Sequence, residues 1–554
     1  MKKIILLSIL SFGLFTHSIA QTKKKSMPKT SQTPFIWEGA NLYFLLVDRF
    51  KSTAEKPKIF FDRTKTPGKL RGFEGGNING IIQKIDEGYF DKLGINVIWL
   101  TPIVEQIHDG VNEGNGLSYA FHGYWTRDWS AIDPNFGTKD DLAKLVAKAH
   151  AKGIRIMLDA VINHTGPVTE IDTVWPENWV RTGPTCKYDN FLNTTACTLV
   201  ANLPDIKTES TTEVELPDFL IKKWKKEGRY EKEITSLDAF FKRTKYPRLP
   251  KYYIMKWLTD YISEFGIDGY RCDTVKHTEE VVWKEFQAEC QIAFANWKKK
   301  NPSKVLDNNN FYTIAEVYNY IINNGKNFDF PDRKVNYYEN GFNAMINFDF
   351  KWNAKDNYET IFSHYSEKLN NELKGFSVLN YISSHDDGNP FDGKREKTIE
   401  AGTKLLLSPG ISQVYYGDES ARSLVVSGTQ GDATLRSYMN WSEIKTNPEV
   451  QKTLLHWQKL GKFRKNHPAI GAGIHEQITS NTGYVFKRKL TRGSFTDAVI
   501  IGLDLPIGKK EIAIGNIFTN GTKLKDAYSG KTAIVSFGKV TIDSNFGIVL
   551  LEKL

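Results

Sequence analysis

The chain has 554 residues, of which 40% are hydrophobic, 13% are aromatic and 25% are charged, and its formal net charge is +10. This length exceeds one ordinary domain, and the apolar content is sufficient for large cores, which excludes a disordered protein. The basic residues are spread along the chain rather than concentrated in one segment, so the positive charge indicates solvated surfaces and not a nucleic-acid partner.

The N-terminus predicts a cleaved signal peptide over residues 1–20. Lys2 and Lys3 precede an apolar run over residues 4–15, and Ser18-Ile19-Ala20 forms a small-x-small cleavage site. The first cysteine is Cys186, so a lipid-anchored N-terminus is not expected, and the sequence offers no second apolar run long enough to span a bilayer. We therefore expect a periplasmic or secreted protein without a membrane anchor.

Strand patterns alternate with amphipathic helical patterns from about residue 40 to about residue 465. One helix is predicted to begin with a capping box of Thr138 and Asp141, and another to end at Gly266. Eight strands separated by helices predict a (β/α)₈ TIM barrel. The predicted strands are 43–48, 97–102, 154–160, 269–273, 313–317, 344–348, 378–383 and 413–416.

Two further parts of the chain depart from this alternation. More than eighty residues follow His164 before the next barrel helix, which predicts an inserted subdomain after strand 3. After residue 465, strand and turn signals predict a C-terminal antiparallel β-sandwich. The predicted domains are the barrel at 36–165 and 251–465, the insert at 166–250, and the sandwich at 466–554. Cys186 and Cys197 are predicted to form a disulfide in the insert, with Cys272 and Cys290 as buried thiols.

Polar residues in TIM barrels act at the C-terminal ends of strands, and most of the predicted strands lead to a carboxylate. These carboxylates are Asp48, Asp159, Asp273, Glu316, Asp386 and Asp418.

The segment 269–277 is the most informative of these strand ends. Arg271 and Asp273 are two residues apart on a strand and share a face, so the guanidinium can keep Asp273 ionised as a nucleophile. On this segment alone, a purely structural ion pair is the alternative interpretation.

Glu316 and Asp386 complete a possible catalytic set. Glu316 ends an apolar strand with no basic neighbour in sequence, so burial is expected to raise its pKa and to keep it protonated, as a general acid requires. Asp386 follows His385 at another strand end. An ionised carboxylate, a protonated one and a third at one barrel mouth suit a retaining glycosidase.

At these positions the chain resembles the α-amylase family, glycoside hydrolase family 13. Four segments match its signatures in order: 159–164, 269–277, 315–317 and 384–386. The resemblance implies that Asp273 is the nucleophile, that Glu316 is the acid/base, and that Asp386 fixes the sugar hydroxyls. It also implies that Arg271, His164 and His385 hold the sugar being cleaved. Ser384 departs from the pattern, because many members have Asn there.

Two more segments match the family. His122 and Tyr124 lie in a stretch resembling the one whose aromatic ring stacks on that sugar, so Tyr124 is the expected platform. Lys276 is expected either to contact a sugar beyond the cleaved bond or to be a solvated side chain. The segment 203–206 resembles a calcium-binding motif of the family's insert, and the matching ligands of a structural Ca²⁺ are Asn163, Asp205 and the backbone oxygen of His277. A capping or hydrogen-bonding role is the alternative for Asn163 and Asp205.

The predicted function is that of an α-amylase, which hydrolyses internal α-1,4-glucosidic bonds of starch, glycogen or maltooligosaccharides with retention. The insert departs from the family pattern in its high charge over residues 207–245, and the segment 203–224 looks most like the bacterial periplasmic members. The alternatives are a maltodextrin glucanotransferase, an exo-acting maltooligosaccharide hydrolase, and a catalytically silent glycan-binding protein. The sequence does not indicate the oligomeric state.

Overall fold

The computed structural model describes residues 33–114 and 116–554, and the predicted signal peptide lies outside them. Residues 35–554 form one compact unit. Among the described residues, no helix combines the length and the apolar character needed to cross a bilayer.

Eight parallel strands close into a barrel, which confirms the predicted fold class. Each strand pairs with its neighbours in the chain, and the eighth pairs with the first. All eight are buried along their length, as expected for a parallel sheet covered by helices. The strands are β1 (Asn41–Leu45), β2 (Val97–Leu100), β3 (Arg155–Ala160), β4 (Gly269–Cys272), β5 (Tyr312–Ala315), β6 (Ala344–Asn347), β7 (Ser377–Asn380) and β8 (Ile411–Tyr415).

Two of the helices show clear start and stop signals, a capping box and a glycine with positive φ. Thr138 and Asp141 form the predicted capping box at the start of Lys139–Ala151. Gly266 ends Pro250–Phe265 with φ of 73°, and a Cβ at this position would lie 2.0 Å from the Trp297 ring. The remaining α-helices are Val47–Phe50, Ile78–Asp86, Tyr89–Lys92, Leu192–Thr195, Asp218–Lys226, Tyr230–Thr244, Glu280–Lys300, Phe350–Asn353, Tyr358–Asn370, Thr398–Leu407, Trp441–Thr446, Pro448–Asn466 and Ala469–Ala472.

The segment after β3 contains the two-stranded pair Val180–Arg181 and Asp205–Ile206 and the helices Asp218–Lys226 and Tyr230–Thr244. Cys186 and Cys197 form the predicted disulfide, and Cys272 and Cys290 are buried free thiols, as predicted.

Two cations of this segment fix its helices to the part of the chain between β2 and β3. Lys223 Nζ lies 2.8 Å from both Glu105 Oε2 and Asp128 Oδ2, and Arg229 Nη2 lies 2.6 Å from Asp128 Oδ2. Burial opposes ionisation of Asp128, but the two cations outweigh it and hold the pKa of this carboxyl far below its usual value.

The C-terminal part is an antiparallel sheet of six strands against which a two-stranded sheet packs. The strands are β9 (Ile474–Ile478), β10 (Tyr484–Arg492), β11 (Phe495–Leu503), β12 (Gly508–Ala513), β13 (Lys523–Asp526), β14 (Thr532–Ile534), β15 (Lys539–Ser544) and β16 (Val549–Lys553). The larger sheet has the order β9-β10-β11-β16-β13-β14, and β12 pairs with β15. The two sheets bury a common core of Ile, Leu and Val side chains.

Candidate active site

Arg271 is the centre of the carboxylate cluster at the C-terminal end of the barrel. Its Nη1 lies 2.6 Å from Asp273 Oδ1 and 2.9 Å from Asp159 Oδ1, and its Nη2 lies 3.1 Å from Glu316 Oε2. The guanidinium is almost completely buried. Three carboxylates share this one buried guanidinium at the C-terminal ends of the barrel strands, where the polar residues of TIM barrels act. This excess of acid favours a functional site over a structural ion pair.

Glu316 directly follows β5 and is held from two sides. The backbone N–H of Thr274 donates to Glu316 Oε2 at 2.8 Å, in addition to the contact from Arg271. The pKa of Glu316 is raised to about 8: burial is the largest cause, Arg271 opposes it, and the charges of Asp273 and Asp386 add to the rise. The pKa shift has the expected direction. The contact with Arg271 could not be predicted, because no basic residue is adjacent to Glu316 along the chain.

Asp386 lies in the loop after β7 and faces the cleft, with 39% of its side chain exposed. Ser384 Oγ donates to its Oδ1 at 3.4 Å, and His385 Nε2 lies 3.6 Å from its Oδ2. Burial opposes ionisation, but His385, Arg271 and Arg436 together hold the pKa of Asp386 below its usual value. The carboxylate is therefore ionised and has room to accept hydrogen bonds from a ligand.

Tyr124 and three histidines form one wall next to these carboxylates. The Tyr124 ring is stacked near the His385 ring, with centroids 5.3 Å apart, and near the His122 ring at 5.9 Å. His164 Nε2 lies 3.1 Å from the Tyr124 carbonyl oxygen. Burial lowers the pKa of His122, His164 and His385, so all three rings are neutral near pH 7. Neutral rings can hydrogen-bond to hydroxyl groups without adding charge.

Asp159 completes the carboxylate cluster around Arg271, although the sequence indicated it only as a strand-end carboxylate within the segment 159–164. It lies on β3 directly opposite Arg271 on β4. The Tyr124 hydroxyl donates to its Oδ2 at 2.9 Å, and Trp99 Nε1 donates to the same oxygen at 3.2 Å. Asp159 thus sets the position of the Tyr124 ring relative to Arg271. The register of β3 and β4, in which Asp159 pairs with Arg271, is the signal that could have identified this contact.

Lys276 is placed at the edge of the cleft and is only partly exposed. Its Nζ donates to the Tyr318 carbonyl oxygen at 3.3 Å and lies 5.1 Å from the Tyr318 ring and 5.6 Å from the Tyr188 ring. Burial lowers its pKa. These contacts favour the ligand-contact interpretation over a freely solvated side chain.

The residues predicted to bind calcium meet where the insert joins the barrel. The backbone N–H of Ile206 donates to the Asn163 carbonyl oxygen at 2.8 Å, and His277 Nδ1 lies 2.9 Å from the Thr194 carbonyl oxygen. No group of three His, Cys, Asp or Glu side chains suited to a metal occurs within the described part of the chain. The predicted set contains only one carboxylate, Asp205, so it would not form such a group.

The surroundings of Asp205 fit a hard cation. Both of its carboxylate oxygens are buried and accept no hydrogen bond from any residue that the structure describes, and Asn163 Nδ2 likewise has no partner among those residues. Arg181 Nε lies 2.8 Å from Asp205 Oδ2 but is not aligned for a hydrogen bond. Burial raises the pKa of Asp205 well above its usual value, which Arg181 only partly offsets. A cation with oxygen ligands would stabilise the ionised carboxylate.

Comparison with known proteins finds one matching family model and relatives of similar sequence. The family model "Alpha amylase, catalytic domain" matches residues 44–468. The periplasmic α-amylase of Escherichia coli (strain K12) is 33% identical over 520 residues, covering 83% of this chain and 71% of that protein. The cyclomaltodextrin glucanotransferase of Geobacillus stearothermophilus is 29% identical over 507 residues, covering 87% of this chain and 63% of that protein.

Solved structures share the fold. An Anoxybacillus α-amylase superimposes with a TM-score of 0.63 at 24% sequence identity, covering 94% of this chain and 99% of that one. An α-amylase of Geobacillus thermoleovorans, solved in complex with acarbose, superimposes with a TM-score of 0.64 at 20% identity, with 94% and 99% coverage.

Proposed function

The chain belongs to the α-amylase family, whose members act as glycoside hydrolases, and on this premise we propose that it is an α-amylase cleaving internal α-1,4-glucosidic bonds of starch, glycogen or maltooligosaccharides. The observation that carries the proposal is the sharing of one guanidinium by Asp273 and Glu316. It holds together the proposed nucleophile and a carboxyl whose raised pKa favours the protonated form. Retaining glycosidases need such a pair, with the carboxyl groups about 5–5.5 Å apart.

The proposed reaction has two steps. In the first, an Asp273 oxygen attacks the anomeric carbon while Glu316 gives its proton to the glycosidic oxygen, so the C–O bond breaks and a glycosyl-enzyme ester forms. In the second, Glu316, now a carboxylate, takes a proton from water, and the resulting hydroxide displaces Asp273. Two inversions at the anomeric carbon give net retention.

The remaining site residues bind and orient the sugar in this proposal. Tyr124 offers a half-buried ring for stacking, and His122, His164 and His385 can bond to hydroxyl groups. Asp386 would accept hydrogen bonds from the sugar that strengthen as the ring distorts toward the transition state. Lys276 would contact a sugar on the leaving-group side, because it follows the nucleophile strand and lies among exposed aromatic rings.

The first prediction concerns product size. Incubated with soluble starch or maltoheptaose, the mature protein should release shorter maltooligosaccharides that are initially α-anomers, and pullulan should be a poor substrate. Chromatography with anomeric analysis by NMR measures both properties. Initial release of β-anomers would contradict the retaining mechanism.

A glucanotransferase is the second candidate, and the similarity to cyclomaltodextrin glucanotransferases favours considering it. Water and a sugar hydroxyl compete for the same glycosyl-enzyme intermediate, so the same carboxylates serve both reactions. Cyclic products, or linear products longer than maltoheptaose, would identify the transferase. Release of only the terminal unit would indicate exo action, and the absence of any turnover would indicate a glycan-binding protein.

We also propose a structural Ca²⁺ held by Asn163, Asp205 and the backbone of His277. When bound, the ion would add positive charge at the buried oxygens of Asp205, beyond that of Arg181, and would join the insert to the barrel. If calcium binds only the folded protein, then a concentration 100-fold above Kd adds about 2.7 kcal/mol of stability.

Chelation should therefore lower the melting temperature of the protein, and added Ca²⁺ should restore it. Differential scanning calorimetry measures this shift. The matched control is Asp205→Asn, which should be less stable and should no longer respond to chelator. Equal melting curves with and without chelator for the unmodified protein would contradict the site.

The proposed cellular location is the periplasm or the exterior, reached after removal of residues 1–20. The support is the basic and apolar N-terminal pattern and the similarity to a periplasmic relative. The mass of the exported chain would test this, with an N-terminus at Gln21 expected.

A further inference from the structure

The side chain of Asp386 is held by long contacts, although its proposed role of binding sugar hydroxyls requires a defined orientation. Within the described ranges 33–114 and 116–554, its side-chain contacts are the 3.4 Å hydrogen bond from Ser384 and the 3.6 Å approach of His385, both long. Its direction must therefore be fixed mainly by the backbone of the loop after β7. On one side of Asp386, Arg436 Nε donates to the His385 carbonyl oxygen at 2.8 Å.

On the other side, Asp387 is held by side chains from two other places in the barrel. Lys351, on the short helix after β6, forms an ion pair with Asp387 Oδ2, and the Tyr381 hydroxyl donates to the same oxygen at 2.6 Å. The second oxygen of Asp387 accepts from the backbone N–H of Asn389 at 3.0 Å. The side chains of Lys351 and Asp387 are only 8% and 11% exposed.

We propose that Lys351, Asp387 and Tyr381 are positioning residues that fix Asp386 for the reaction. This proposal rests on the proposed function, because it assigns a role through Asp386. The oxygens of Asp387 are used by its three partners and so are not free for a sugar, whereas Asp386, one residue earlier, faces the cleft. The anchored Asp387 and the anchored His385 carbonyl hold the backbone on both sides of Asp386.

A shift of the loop that carries Asp386 is expected to lower the reaction rate. A displacement of about 1 Å at a reacting group can cost roughly 100-fold in rate. If Asp387 is released, the loop can shift by such a distance while the nucleophile and the acid/base, which directly follow β4 and β5, stay in place. The loss should therefore appear in transition-state stabilisation, and much less in binding of the ground-state substrate.

The test uses Asp387→Asn, Lys351→Met and Tyr381→Phe in the full chain. We expect kcat on maltoheptaose to fall by about 10- to 100-fold for the first two variants and by less for the third, with KM little changed. Lys351→Arg, which keeps the positive charge, should recover much of the loss. Lys355→Met is the matched control, since Lys355 is exposed and lies four residues away, and its kcat should stay unchanged.

A double-mutant cycle separates positioning from a general structural role. Activity is measured on an aryl maltotrioside with a good leaving group, so that weak variants remain measurable. In an Asp386→Asn background, Asp387→Asn should cost little further activity, because the group it positions is already altered. Full additivity of the two losses, or a normal kcat for Asp387→Asn, would overturn the proposal.

The outcomes also separate this proposal from the function itself. An unmodified protein that does not hydrolyse α-glucans would refute the function, whereas an active protein with unaffected variants would refute only the positioning role. If Lys351→Met fails to fold, Tyr381→Phe decides, because it removes one hydroxyl group without leaving a charge unpaired. A normal kcat for this variant would then count against the proposal.

Discussion

Replacement of Asp273 by Asn should abolish turnover of maltoheptaose, with a loss of kcat of roughly 10⁴-fold or more, as for other catalytic nucleophiles. The amide has almost the same shape as the carboxylate but is a poor nucleophile and cannot form the ester with the anomeric carbon. Arg271 keeps its contacts with Asp159 and Glu316, so the fold should persist. Steady-state kinetics and thermal melting measure the two quantities.

The control for this variant is Asp349→Asn. Asp349 also follows a barrel strand, β6, but its carboxylate accepts a hydrogen bond from Asn353 within the same short helical segment. This variant should keep a normal kcat. The Asp273 variant should also remain inactive on an aryl maltotrioside, because a better leaving group does not replace the nucleophile. Substantial activity of folded Asp273→Asn on either substrate would disprove the assignment.

The barrel could be predicted from sequence because its signals are local. Each strand is a short apolar run with a neighbouring helical pattern, and the observed bounds lie within a few residues of the predicted ones, as for β4 at Gly269–Cys272. The capping box at Thr138 and the helix stop at Gly266 depend on residues within one turn. Such features need no knowledge of distant parts of the chain.

The Arg271–Asp273 pair is local and was predicted, but other contacts that organise the site join distant parts of the chain and could not be predicted. Asp159 and Arg271 are 112 residues apart and meet because β3 and β4 pair in that register. Lys351 and Asp387 are separated by 36 residues and lie after different strands. A pattern of apolar residues predicts the two strands in each case, but only the closed barrel determines which polar side chains face each other.

The charged insert illustrates the same limit. Its Lys and Arg residues are typical of a solvated surface when considered along the chain. In the fold, Lys223 and Arg229 reach carboxylates of the segment between β2 and β3 and become partly buried. Charge composition alone cannot distinguish these two environments, because the partners are about 95 to 100 residues away in sequence.

Glu316→Gln should lower kcat on maltoheptaose by about 10²- to 10⁴-fold, which is the usual contribution of a general acid/base. Gln cannot donate a proton to the glycosidic oxygen or accept one from water. On an aryl maltotrioside the first step should lose much less, because a good leaving group departs without protonation. Burst kinetics with this substrate would then show accumulation of the glycosyl-enzyme, since the second step still lacks its base.

The pH dependence gives an independent check. Glu316 must be protonated to act as the acid, and its pKa is raised to about 8, chiefly by burial. The unmodified protein should therefore keep its rate up to pH of about 8 and lose it above, as the proton leaves Glu316. This alkaline limb should disappear in Glu316→Gln and persist in the control Glu339→Gln, which alters an exposed side chain. An unchanged alkaline limb in Glu316→Gln would assign the acid to another group, because a side chain that cannot titrate cannot set a pH limit.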